Sequence, residues 1–483
     1  MSSSPPAPGR GKRVAARRRR SLDRGSLLPL APPLAAVLIA LAAGAVPVRE
    51  PAVPSASTEP VSNLVNACQR ARGPQAASSV RMLTARVADL DADGTVRYTP
   101  TGEAGAAGPA PARRGALTTL DAPTAPPAAS VLRAEGPVAA GTATWQVDRG
   151  ATDPTLAVQE CSAPAAEWWF TGAGAGLDHQ STLVMTNTDP GRAVVDVTLR
   201  GPAGEVLDAE SVRGLTVQPG ETVTVDMLEV APQNEELNVE VSASRGRVVA
   251  AVADRYAEGA GAPAGTEWLP ASGEAPAREV VLSGVPTLAQ ARTLVVANPS
   301  GARQALVDVL VAGPDGAFAP TEGDQVSVPP GSVATTELAA GLGSDATAVL
   351  LRSNVPVTGA VRATLGSDHT YAGPVSPLTG PAAAPLDGPG ASVQLTAGDE
   401  AATARVTGLT EDGEEVGSKD LEAPPRATVG WRPPGAADYV VVEPGRAQVS
   451  GAVVLSAAGG VSTVPLRDLP VTVLRPGVVP ALG

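Results

Sequence analysis

The sequence predicts an all-β protein: tandem immunoglobulin-like or fibronectin-like β-sandwich modules behind one N-terminal transmembrane or signal helix. Three observations predict it. A set of short motifs recurs about every 110 residues. Those motifs alternate apolar and polar residues at the period of a strand. The chain of 483 residues holds 52 Gly and 48 Pro, which favours many turns and few long helices.

The first element is the N-terminal address. Residues 1–24 hold eight Arg or Lys against Asp23, a local charge of +7. An uncharged run of 22 residues follows, Leu27 to Val48, about long enough to cross a bilayer as a helix. Pro29, Pro32 and Pro33 interrupt its start, so the continuous helix is expected from Leu34 to Val46. The basic flank should stay in the cytoplasm. Ala43 and Ala45 form an A-x-A-like site, so the run reads as an uncleaved signal-anchor or as a cleaved signal peptide. The first makes a single-pass protein of the cell membrane with its body outside the cytoplasm. The second makes a secreted one.

The boundaries follow. Residues 1–25 are a basic cytoplasmic tail, 26–48 the membrane or signal segment, and 49–62 a linker. Four β-sandwiches are expected at 63–166, 167–271, 278–378 and 390–470, the first of them degenerate.

The repeat sets those limits. "LVMTNTDPG" from Leu183 matches "LVVANPSG" from Leu294, and "VQPGETVTVD" from Val217 matches "VPPGSVATTE" from Val328. "ARVTGLTEDGEEV" from Ala404 gives a third copy, and "ARVADLDADGTV" from Ala85 a fainter one upstream. Hairpin glycines fall at Gly94, Gly204, Gly316 and Gly413, where a turn with positive φ suits Gly. Asn187 and Asn298 end strands, where Asn can cap the chain through an Asx-turn. Linkers such as "ASGEAPAR" from Ala271 should separate the modules.

Cys68 and Cys161 are the only cysteines. In an oxidising exterior they are expected to form a disulfide.

The net charge of −13 leaves the body more acidic still, once the basic tail is set aside. An acidic body repels phosphate backbones, so no nucleic acid is expected as a partner.

Candidate chemistry is sparse. "DLDADG" at Asp89–Gly94 starts like a calcium loop, but Arg97 and Pro100 stand where later ligands belong, so it reads as an acidic hairpin. His179 and His369 are the only histidines, and each reads as a surface-loop residue. "TGAGAG" at Thr171–Gly176 reads as a flexible loop. Glu235/Glu236 and Glu414/Glu415 read as solvated charges. The sequence therefore predicts no catalytic, cofactor-binding or metal-binding residue, and no cofactor. Trp168 and Trp169 sit in "EWWF" and in a strand would point to opposite faces. One would enter the core and the other could stack on a ligand, so both stand as candidate ligand-stacking residues; "EWLP" at Glu267 recurs at the next repeat junction, which favours core or interdomain packing for the pair.

"EWWF", "LVMTN", "GPAGEV", "VQPGE" and the cysteine pair resemble a family of secreted actinobacterial proteins without an assigned function, over about residues 62–470. The resemblance implies one N-terminal membrane segment, an all-β exterior and a gene often beside one for a family-2 glycosyltransferase. It implies no catalytic or binding residue.

The expected function is non-enzymatic: a scaffold, spacer or binding array at the cell envelope, touching the membrane through the N-terminal helix. The alternative is an envelope-glycan binder, and a third class is a carbohydrate-active hydrolase. The expected partners are envelope glycan or envelope proteins. The address has a direct test. A reporter fused after Gly483 should be active only outside the cytoplasm, and cytoplasmic activity there would overturn the topology.

Overall fold

Alternation in the sequence becomes alternation of burial. In the computed structural model the strand Ala193–Gly201 buries Val195, Val197 and Leu199, while Val194, Asp196 and Thr198 are half-exposed. The residues described are 56–70, 75–86, 92–101, 108–122, 128–150, 155–205, 210–259, 262, 264–272, 275–338, 346–388, 390–457 and 459–475. Contacts divide the chain into Thr58–Val473, which holds everything below, and a second unit of Met1–Ser57 with Leu474–Gly483. The apolar run Leu27–Val48 lies outside the described residues. Among those described, no helix is long and apolar enough to cross a membrane.

Apart from the short strands Ser57–Pro60 and Thr472–Arg475, the strands fall into four successive groups, and their pairs are antiparallel. In the first group, one sheet holds Asn63–Arg70, Ala128–Glu135, Gly94–Pro100 and Gly108–Ala112. The other holds Ala116–Asp121, Gln75–Thr84, Thr142–Gly150 and Leu156–Glu160. The second group's two halves meet at one pair, Ala175↔Gln180. The third group is joined by the strand Thr347–Leu365, which pairs with Ala305–Gly313 and Ala277–Val285 at one end and with Ala291–Asn298 and Asp368–Ala372 at the other. The fourth repeats the plan of the first, with two four-stranded sheets.

Local turn chemistry agrees with the repeat. Gly204, Gly316 and Gly413 have positive φ, at 118°, 131° and 82°. Gly94 is not among the positive-φ glycines; it opens the strand Gly94–Pro100 instead. Asn187 Oδ1 accepts from the Asp189 amide, and its Nδ2 donates to the Gly191 and Val217 carbonyls. Asn298 makes the same set with Ser300, Arg303 and Val328. Both are Asx-turns at matching positions.

The last strand of each group is the hairpin partner of the strand before it: Leu156–Glu160, Ala264–Trp268, Asp368–Ala372 and Gly460–Pro465. These four touch in a closed cycle, first to second to third to fourth and back to first. The groups are therefore arranged around a common axis. The expectation of separated modules is corrected by the core. One apolar cluster joins Trp145, Val147 and Leu156 of the first group to Val393, Val453 and Val464 of the fourth. Arg81 and Arg149 of the first group both reach Asp387 of the fourth, and Tyr439 Oη donates to the Gly115 carbonyl at 2.6 Å.

Cys68 and Cys161 are disulfide-bonded and buried, across a sequence separation of 93 residues. The bridge ties an outer strand of the first group to the end of its axial strand. Closing a loop of that length is worth roughly 4–5 kcal/mol in the chain-entropy account.

Shared packing predicts shared unfolding. Trp145→Ala empties the middle of the first–fourth cluster and should cost about 3–5 kcal/mol. In hydrogen exchange, Gln75–Thr84 and Ser392–Ala397 should lose protection together. Loss confined to the first group would mean that the modules are independent after all.

Candidate functional site

Polar side chains stand in the core rows of two neighbouring strands. In His179–Thr186, His179 and Ser181 lie in phase with buried Leu183 and Met185. In Val249–Ala257, Asp254 lies in phase with Ala250 and Val252. The third group adds His369 and Tyr371 from its axial strand.

All converge on Asp254. Its Oδ1 accepts from Ser181 Oγ at 2.5 Å and lies 3.1 Å from His179 Nε2. Its Oδ2 accepts from Tyr371 Oη at 2.8 Å and lies 3.2 Å from His369 Nε2. Every one of these residues is under 5% exposed. Both histidines are thus corrected from surface loops to the buried centre.

Electrostatics sorts the two rings. Burial alone would lower His179, but Asp254 outweighs it and the net shift is upward. Its Nδ1 meets the Glu235 carbonyl at 2.5 Å, so both ring nitrogens have acceptors, as an imidazolium needs. Burial lowers His369, and Asp254 only partly offsets this. Burial would raise Asp254 itself, but His179 and His369 hold it far below the usual carboxylate range. Arg362 donates to Glu236 at 2.6 Å and lies 4.1 Å over the Tyr256 ring. Glu236 is therefore a buried ion-pair partner, not the solvated charge its sequence suggests; Glu235 is exposed.

Glycines make the room. "TGAGAG" is not a loop: all of it but Gly176 lies in the strand Glu167–Ala175. A Cβ on Gly172 would sit 2.9 Å from the Tyr371 ring, and one on Gly174 2.2 Å from the His179 ring.

Two further carboxyls lie on the axial strands. Glu267 accepts from the Trp268 amide and from Thr370 Oγ1, and Ser462 bonds it from the fourth group. Burial holds it well above the usual carboxylate range. Asp368 Oδ2 accepts from the Leu156 amide at 3.2 Å and the Val461 amide at 2.8 Å. Burial pushes Asp368 up to about 7, against those two amide bonds and a third from the His369 amide. Beside the axis, Trp268 Nε1 donates to Asp148 at 2.9 Å.

This arrangement holds strands; it does not expose a reacting pair. Ser181 bonds the carboxylate and not an imidazole, and Tyr371 Oη, which donates to the same carboxylate, also lies 3.4 Å from His179 Nε2; all of these groups are buried. Among the described residues no group of His, Cys, Asp and Glu is placed to hold a metal ion. Asp89 and Asp91 of the acidic hairpin lie outside the described residues; Asp93 accepts from the Arg114 amide.

Neither tryptophan offers a free face. Trp168 and Trp169 are 5% and 6% exposed, which agrees with the packing reading and corrects the alternative of an outward, ligand-stacking ring. Trp168 Nε1 donates to the Val248 carbonyl, while Trp169 Nε1 donates to Glu167 and its ring lies under Arg200.

What the surface offers is a cleft of about 500 Å³ between the third and fourth groups. Asp399 binds Arg426 at 2.6 Å and Arg352 at 3.3 Å across it. Arg467 stands 3.0 Å from Glu160 at the axial end. Val280, Leu351 and Leu466 line the same cleft, and none of its lining residues is aromatic. The hydrogen bond and charge of Arg426 hold the exposed Asp399 below its usual range.

Fold and axis together define an all-β, disulfide-bonded protein whose four strand groups close around a buried polar centre. The chain belongs to a family of unknown function, DUF5719, matched over residues 118–434. That span takes in three of the four axial strands and leaves out Gly460–Pro465. No curated protein matches the chain.

Asp254 is the residue to remove. Asp254→Ala strips four polar neighbours of their shared acceptor and should destabilise the body by about 3–5 kcal/mol. Denaturant unfolding reads it; a loss below about 1 kcal/mol would mean that the network is incidental.

Proposed function

We propose that this is a non-enzymatic extracytoplasmic protein, held at the cell membrane by its N-terminal segment, that acts at the envelope as a scaffold or binding body. In this reading each strand group is an immunoglobulin-like or fibronectin-like sandwich. The observation that carries it is the buried axis. Both imidazoles of the chain, with Asp254 and Tyr371, are bonded to one another beneath the surface and present nothing to a substrate.

The binding surface in this reading is the cleft between the third and fourth groups. Its size falls in the range of ligand sites. Arg352 and Arg426 share one exposed carboxylate, Asp399, which an incoming carboxylate can displace at small cost because exposed pairs are weak. The partner is accordingly an envelope component bearing carboxylates, protein or acidic glycan. A glycan reading based on indole stacking lacks its platform, because both indoles are buried.

The test is charge reversal in the intact protein. Arg352→Glu with Arg426→Glu should leave the fold standing and cut retention on isolated cell envelope about tenfold or more. Blocking envelope carboxylates with a carbodiimide should do the same to the unaltered protein, and protease treatment of the envelope separates a protein partner from a glycan. Undiminished retention by the variant would remove the cleft from the reading.

A further inference from the structure

The upper end of the axis holds a charge problem that its own geometry does not solve. Asp368 belongs to the third group, yet its Oδ2 takes one amide from the first group and one from the fourth. Its Oδ1 is buried with no hydrogen-bond partner. So is Nδ1 of the adjacent His369. Both atoms pack against Gly265 of the second group, where a Cβ would lie 2.6 Å from Oδ1 and 2.7 Å from Nδ1. One carboxyl therefore touches all four groups.

The neighbouring charges are already committed. From the strand His179–Thr186, His179 pairs with Asp254 of Val249–Ala257. From Thr347–Leu365, Arg362 pairs with Glu236 of Asn234–Arg245. Ala264–Trp268 contributes Glu267, bonded to Thr370 and Ser462. Thr142–Gly150 contributes Asp148, bonded to Ser78, Gln146 and Trp268. Leu156–Glu160 contributes Glu160, paired with Arg467 at the far end. In Ala277–Val285, Glu279 lies 3.6 Å from Arg352. Tyr256 and Tyr371 are the phenols at hand, and Tyr371 already donates to Asp254. Arg70 of Asn63–Arg70 is buried too and acts on Asp148; among the described residues no cation is left to face Asp368. An ionised carboxylate with one bare oxygen in a dry core is an uncompensated charge; a neutral acid is not.

We propose that Asp368 is a proton-operated lock on the ring: protonated, it lets the four axial strands close tightly, and loss of its proton loosens the third group's hold on the first and fourth. This goes beyond the binding reading and does not depend on it. The direction follows from linkage. The folded carboxyl sits at about 7, above the ordinary Asp value of about 3.9 in an unfolded chain. The folded state thus holds the proton more tightly, so this group's stabilisation is complete below about pH 4, falls as pH rises, and is gone above about pH 7. Asp148, Glu160, Glu236, Glu267 and His179 are raised too and act with the same sign, while His369 is lowered and acts against them.

The experiment compares the intact protein with Asp368→Asn, which keeps an acceptor and removes the titration. Between about pH 4.5 and 6.5 the unfolding constant of the unaltered protein should rise more steeply, by an extra factor of about ten per pH unit for the one linked proton. Hydrogen exchange, corrected for the intrinsic effect of pH, should show the segments holding Leu156 and Val461 losing protection between pH 6 and 8 in the unaltered protein only. Equal pH slopes in both proteins would overturn the lock. If Asp368→Asn does not fold, the infrared carboxyl band of Asp368 in isotope-labelled unaltered protein decides. A protonated acid at pH 6 that ionises by pH 8 supports the proposal, and a carboxylate already present at pH 5 ends it.

Discussion

Four strands meet at the centre of this molecule, and the polar groups they bury there must find partners in one another. Water cannot reach them, and each unmade bond would cost about 1–3 kcal/mol. The solution is reciprocal. Ser462 of the fourth group accepts from the Val158 amide of the first and bonds Glu267 of the second, which also takes Thr370 of the third. Such bonds add little net energy over an apolar core. Their effect is on register, because sliding any axial strand breaks bonds to two neighbours at once. With only two Phe in the chain and cores of Ala, Val and Leu, side-chain shape alone would specify that register weakly.

Bulky polar rings at the axis require space in the facing strands. Gly172 admits Tyr371, Gly174 admits His179, and Gly265 admits Asp368 and His369. A strand rich in Gly is weak on its own. Here His179 of the same group fills the space at Gly174 and Tyr371 of the third group fills that at Gly172, so part of the local weakness is recovered only when the groups have come together. Local propensity and ring closure are thereby tied.

Much of the fold was legible in the sequence. Alternation, hairpin glycines and the Asx pair located strands and turns because those signals are local. The disulfide followed from there being two cysteines. The axis was hidden for a physical reason: its partners lie far apart in sequence, His179 from Tyr371 and Leu156 from Asp368, and no local pattern announces such a meeting. Two signals did exist. Asp254 is a charge in phase with a core row, and three glycines sit at alternate positions in "TGAGAG". Read as a strand, that spacing leaves one face bare and asks what fills it. Trp168 and Trp169 misled because alternation separates two faces, while in this body both faces are covered.

The repeat is symmetric where the backbone is concerned and asymmetric at its centre. The hairpin registers place Gly265 of the second group opposite the position held by Asp368 in the third, and Glu267 opposite Thr370. At the first level one acid stands among Gly265, Leu156 and Val461; at the next, one stands among Thr370, Val158 and Ser462. Two acids at one level would share a dry space a few ångströms across, where like charges cannot both ionise. An exact repeat would put four acids together and could not close. Divergence at the axial positions is therefore a condition for the ring, which explains how the copies can share turn and strand residues while differing at their polar ones. Surfaces such as the Arg352–Asp399–Arg426 cleft lie away from that centre, where the groups are free to differ without disturbing it.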